Sequence, residues 1–217
     1  MDYPFFLYLC GNQTLKPMQK LFLAVALFIS LQSTAQTKLT LIFEKKTEVF
    51  DDSNSEKISQ SPVSRYYLNL TKDVSEYFLV TEKTIDGVEK DYPSQYLYKN
   101  LEKHTYTWQR NEGEDFTYGE LPEFKWELKP GSKKILGYTV RKAVLDSADK
   151  NITAWYSILT YKNGPEMYHG LPGLILEIEE TKSVNGSTQK TVLTAISMDS
   201  SRNSRIIVNP LEQENQN

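Results

Sequence analysis

The run Tyr168-His169-Gly170-Leu171-Pro172-Gly173-Leu174-Ile175-Leu176-Glu177-Ile178 constrains this chain most, because it writes a tight corner directly into an apolar strand. In Leu171-Pro172-Gly173-Leu174, Pro holds φ near −65° and Gly follows at the position where a type II turn demands φ > 0. Gly170 adds a flexible residue before the turn. Leu174, Leu176 and Ile178 then alternate with Ile175, Glu177 and Glu179, so one strand face is fully apolar and the other turns charged at Glu177. The corner reads first as a structural launch for a core strand. The functional alternative is a rigid loop presenting backbone or His169 to a partner.

The rest of the chain is written in the same idiom. Short alternating segments rich in Tyr, Phe, Thr, Val and Ile dominate, which points to β structure. Leu39, Leu41 and Phe43 share one face, as do Tyr66, Leu68 and Leu70. Glu76 to Val80 reads as a strand, Tyr92 to Lys99 as a strand or one or two helical turns, and His104, Tyr106 and Trp108 as the face of another strand. Asn111 to Asp115 is an acidic loop before Phe116-Thr117-Tyr118. Phe124, Trp126 and Leu128 alternate with charged residues up to a turn at Lys129-Pro130-Gly131-Ser132. A long strand with Gly137 inside it is expected from Ile135 to Leu145, then a hairpin turn at Asp146 to Asn151. Ile152, Ala154, Tyr156 and Ile158 line one face of the next strand, with Trp155 on the other. Val184-Asn185-Gly186-Ser187 carries the best short hairpin signal in the chain, with Thr191 to Met198 pairing back and Arg205 to Val208 as a last strand. Asp86-Gly87 marks a turn and the serine-rich Asp51 to Pro62 a mobile loop. The expectation is a mainly β fold: a single antiparallel sheet, curved or a partial barrel, of roughly ten strands with little helix.

The N-terminus carries an export signal. Met18-Gln19-Lys20 is followed by the apolar Leu21–Leu31, then by small residues at Ser33 and Ala35, which reads as a signal peptide cleaved after Ala35. As a helix, Leu21–Leu31 reaches about 17 Å against a bilayer core of about 30 Å, and no other segment approaches membrane-spanning length. Domain limits follow: 1–17 an overextended reading frame ahead of the true start at Met18, 18–35 the signal peptide, 36–210 one β-rich domain and 211–217 a polar, disordered tail. A genuine long leader is the alternative for 1–17. Cys10 is a poor lipidation site, since the bulky Leu9 precedes it.

The mature chain then holds no cysteine, which removes disulfide, thiolate and cysteine-zinc chemistry. Without Lys16, Lys20 and Asp2 its charge is 23 basic against 27 acidic residues, a net of −4, which leaves no electrostatic footprint for nucleic acid.

Several blocks together resemble the GLPGLI family of exported bacterial proteins, which has no established activity. The signature is Gly170-Leu171-Pro172-Gly173-Leu174-Ile175. Trp126-Glu127-Leu128, Ile135-Leu136-Gly137-Tyr138 with Lys142-Ala143, Ala154-Trp155-Tyr156 and Gly164-Pro165 are similar to earlier family segments in the same order. Where many members carry a Cys after Gly-Tyr, this chain has Thr139 and Val140. The resemblance implies a location in the periplasm or at the outer-membrane periphery of Bacteroidota-like bacteria, and an association with outer-membrane transport systems.

Catalytic constellations are thin. Glu166 and His169 have the spacing of metal ligands on a helix, but Pro165 and Gly170 leave room for one turn. A zinc site would need His104, His169 and carboxylates brought together across the fold. No Gly-x-Ser-x-Gly elbow, phosphate loop or dinucleotide fingerprint is present. Ser157 and Ser197 read as ordinary sheet or surface residues. No cofactor and no metal are expected. His169, Trp108, Trp126 and Trp155 are the candidate binding residues, either as core or as an apolar face for a lipid, peptide or hydrophobic partner. The leading expectation is a non-enzymatic ligand- or partner-binding protein. The alternatives are an accessory subunit of an outer-membrane transport complex and a hydrolase using His169.

Overall fold

The computed structural model describes residues 38–80, 95–111, 113–147, 149–201 and 207–213, which fall in one compact unit, Gln36–Asn217. The Asp86-Gly87 turn lies outside the described residues, as do both Met1–Pro17 and Met18–Ala35.

Twelve strands form a single open antiparallel sheet: β1 (Lys38–Asp51), β2 (Lys57–Gln60), β3 (Ser64–Leu70), β4 (Val74–Leu79), β5 (Tyr96–Asn100), β6 (Thr105–Gln109), β7 (Thr117–Glu120), β8 (Glu127–Ile135), β9 (Tyr138–Asp146), β10 (Asn151–Ser157), β11 (Ile175–Val184) and β12 (Ser187–Ser201). The order is β7-β6-β5-β4-β3-β1-β12-β11-β10-β9-β8, with β2 beside β1. The sheet thus consists of two meanders welded by the long β1–β12 pair, which runs from Lys38↔Ser201 to Asp51↔Ser187. One helical turn, α1 (Pro210–Gln213), follows the last strand.

Alternation makes the two faces. Ala143, Ala154, Ile178 and Leu193 lie opposite one another across four strands, and Leu41, Leu68, Tyr77, Leu97 and Trp108 form a second row. These rows belong to one buried apolar cluster and define an inner face. Lys142, Trp155, Glu177, Thr194 and Glu44 form the matching outer row. There Lys133 pairs with Glu177 and Glu179 and stacks over Trp155 at 4.3 Å. A small second cluster of Tyr96, Tyr98 and Ile207 forms where the segment before α1 returns to the sheet.

Several expectations need correction. Lys129–Ser132 is no turn; β8 continues through it with a register shift between Lys129 and Ser132. A Pro-Gly pair breaks the local ladder, and a bulge absorbs the two residues without ending the strand. The long strand expected from Ile135 to Leu145 is instead cut by a two-residue hairpin turn: Ile135 pairs Tyr138, and Leu136 (φ 50°) with Gly137 (φ 82°) takes the type I′ shape. The polar stretch Asp51–Pro62 contains β2, paired to the end of β1. Ile158 is not on the inner face: β10 ends at Ser157, and Ile158 is 73% exposed. Of the strand expected at Arg205–Val208, 205 and 206 lie outside the described residues, and Ile207-Val208 is not strand.

Candidate functional site

Between β10 and β11 the chain leaves the sheet, crosses its inner face and returns. Tyr168, Leu171 and Leu174 of this segment are at most 4% exposed and share the apolar cluster with the inner-face rows. The segment is therefore a plug, filling the face that an apolar ligand cradle would need open.

Its shape depends on a corner different from the one expected. Gly170 takes the left-handed conformation (φ 88°), whereas Gly173 does not, so Pro172-Gly173 is not a type II turn. Gly173 is required for space: a Cβ there would lie 1.7 Å from the Ser157 carbonyl oxygen. A Cβ on Gly164 would similarly meet Ile175 at 2.8 Å. The plug is then tied by backbone bonds from Ser157 N to Leu174 O and from Ile175 N to Asn163 O, and by an isolated bridge between Asn163 and His169. Ser157 is buried under this corner, not at the surface.

Polar side chains complete the attachment. Lys99 on β5 is fully buried; its Nζ donates to the carbonyls of Gly164 at 2.8 Å and Tyr168 at 3.3 Å. Burial pushes its ammonium down to about 7, with Glu166 pulling weakly the other way. Lys45 on β1 pairs with Glu166 at 2.6 Å. The Tyr168 hydroxyl donates to Glu180 and accepts from Lys150; burial, then Glu180, holds it well above the usual phenol range.

His169 sits where the plug meets the segment before β8. Its Nδ1 lies 2.8 Å from the Met167 carbonyl; a carbonyl only accepts, so Nδ1 carries the hydrogen. Phe124 packs edge-on at 5.4 Å, and the Trp126 indole donates to the His169 carbonyl at 2.9 Å. Burial lowers its basicity, the Met167 bond opposes that, and Lys99 and His104 lower it further. The fold does bring the two histidines together, ring centroids 6.3 Å apart. Among the described residues, however, no three His, Cys, Asp or Glu side chains gather as a metal site, and Glu166 is engaged with Lys45 instead.

The candidate residues therefore separate. Trp126 and His169 are one unit. Trp108 lies at the other end of the inner face beneath Arg110. Trp155 is in the outer row, its indole donating to Glu179 at 3.1 Å, and all three tryptophans are partly buried against the one main cluster rather than gathered as one open apolar face. Sequence reasoning missed Lys99, because Tyr96-Leu97-Tyr98-Lys99-Asn100 looks like a strand ending in solvent. It also missed an open depression of about 550 Å³ at the β8 bulge, lined by Leu128, Lys129, Ser132, Arg141, Lys142 and Tyr156 among others.

Residues 146–177 match the family model "Protein of unknown function (Porph_ging)". That family is Bacteroidota-associated, and the matched stretch is β10, the plug and the start of β11. No curated protein matches the chain. Among solved structures, PNGF-II in a C2 crystal form is similar over 76% of this chain and 28% of its own, with 17% identity and a TM-score of 0.48; a P21 form gives 17% and 0.47 over 79% and 30%. This chain thus spans less than a third of PNGF-II. An outer membrane lipoprotein-sorting protein domain from Vibrio parahaemolyticus is similar over 82% of this chain and 91% of its own, at 8% identity and a TM-score of 0.30. Likeness at these scores extends to neither ligand nor activity.

Proposed function

We propose that the chain is an exported, non-catalytic binding protein of the cell envelope, of the GLPGLI type, whose working surface is the β8–β9 end of the sheet. The observation that carries this is a contrast. The inner face is filled by the chain's own plug, whereas β8 is an end strand of the sheet and leaves Leu128 (57%), Leu136 (37%) and Tyr138 (40%) exposed on its hairpin. The leader-like Met18–Ala35 supports export. A hydrolase role for His169 loses support: its Nδ1 is tied to a backbone carbonyl, and among the described residues no carboxylate hydrogen-bonds to it.

A photo-crosslinking residue at Leu136, with Tyr118 on β7 as the control, tests the surface in the native envelope. Adducts at position 136 and none at 118 are expected; no adduct at 136 overturns the reading. The export half is tested by N-terminal sequencing of envelope-fraction protein, expected to begin at Gln36; retention of the leader in a cytoplasmic product overturns it. An accessory subunit of an outer-membrane complex is the second reading, favoured by the free edge itself, and would give a protein adduct at 136.

A further inference from the structure

We propose that the β8–β9 hairpin seats on the headgroups of an anionic phospholipid surface. The inference rests on the reading that this end of the sheet is the working surface, and names what it meets.

The first argument is charge. The whole chain is net negative, −3, yet cations collect on this hairpin. Lys129 and Lys142 are directly opposite in the ladder, a like-charge pairing that destabilises a sheet. Arg141 stands beside them opposite Ser132, and Lys134 lies one pair nearer the tip than Lys133↔Val140. Lys129 bonds Glu127, but Lys134, Arg141 and Lys142 make no ion pair among the described residues. On the same hairpin Lys133 serves two glutamates and a tryptophan ring, and on β3 Arg65 holds Glu44 at 2.8 Å. Three cations without an ion pair among the described residues thus share one hairpin.

The second argument is shape. At the bulge lies an open depression of about 550 Å³ with Lys129, Arg141 and Lys142 around it and Leu128 as an apolar wall. Beyond it the hairpin ends in Leu136, held at φ 50°, where a type I′ turn ordinarily takes Asn, Asp or Gly. A strained, exposed leucine at a tip, Tyr138 next to it and cations behind it match a surface that is anionic first and apolar beneath. Phosphates meet the cations, while leucine and tyrosine enter the boundary between headgroups and acyl chains. An added strand from a protein fits less well, because Pro130 lacks a donor and the bulge with its lysines blunts the edge.

The test is co-sedimentation of the purified protein with vesicles of mixed phosphatidylglycerol and phosphatidylcholine, against phosphatidylcholine alone. Binding only to the anionic vesicles, weakening as salt is raised, is expected. The double variant Arg141→Gln, Lys142→Gln should lower partitioning more than tenfold, at about fivefold per charge. Leu136→Asn, which suits the turn, should weaken it without harming the fold, and Lys46→Gln on β1 should leave it unchanged. Absence of binding to the anionic vesicles, or binding that both hairpin variants leave intact, overturns the proposal. So does saturable uptake of inorganic phosphate without vesicle binding, which marks a soluble-anion pocket. A protein adduct at position 136 without vesicle binding overturns this inference and leaves the working-surface reading standing.

Discussion

Gly170 and Gly173 lie three residues apart in one corner and are needed for unrelated reasons. Gly170 has a left-handed backbone with open space around it, so Gly170→Ala costs the strain of an L-residue there, about 1–2 kcal/mol. Gly173→Ala drives a Cβ into the Ser157 carbonyl, and backbone cannot swing aside as a side chain can. We expect it to cost more than about 3 kcal/mol and to lower Tm by about 10 °C, measured by thermal denaturation; equal losses in the two variants would contradict the close-approach account. Lys99 gives a pH signature. Its folded value of about 7 is depressed below the unfolded value, so its stabilising contribution is complete above about 10.4 and is lost as pH falls toward 7. Stability should therefore rise from pH 7 to pH 9, at no more than about 1.4 kcal/mol per pH unit. Lys99→Met should flatten that slope in urea titrations, and an unchanged slope would remove Lys99 as its source.

At the scale of elements, the β8–β9 hairpin shows what pattern reading sees and what it misses. Leu136 at φ 50° predicts that Leu136→Asn raises Tm by about 1–3 °C, the relief of about half a kcal/mol or more of strain; a fall in Tm would show that the leucine packs on its own hairpin. The hairpin at Asn185-Gly186 was legible because its residues prefer φ > 0 and say so. The one at Leu136-Gly137 was not, because leucine signals strand, and Gly137 alone reads equally as a bulge. Pro130-Gly131 did announce a backbone irregularity, but a turn and a bulge leave the same trace in sequence; only the partner strand decides between them. The apolar rows were legible through alternation, as Leu39-Leu41-Phe43 and Tyr66-Leu68-Leu70 show. The plug was not, since a segment whose bonds run to distant carbonyls, like Lys99 to Gly164 and Tyr168, has no local period. The same holds for Trp155: alternation placed it on the face away from Ala154, but nothing local revealed that Glu179 would hold its indole and Lys133 would cover its ring.

Taken whole, the molecule depends on one seam. The meander β3–β7 and the meander β8–β11 meet through β1 and β12, so neither half of the inner-face cluster is complete until that pair forms. Truncation after Gly186 removes β12 and should leave no protease-resistant product; a stable fragment would show that one meander folds alone. The seam joins Lys38 to Ser201, the two extremes of the described strands. Its formation demands closure of nearly the longest loop the chain can make, which places this fold among slow, high-contact-order topologies. During synthesis β1 can pair early with β3 on one edge, but its other edge has no partner until almost all of the described strands have emerged. Under the proposed export, in which the chain threads a membrane pore before it folds, that delay would be an advantage: the wiring of the sheet itself postpones the native state until the last strand is delivered.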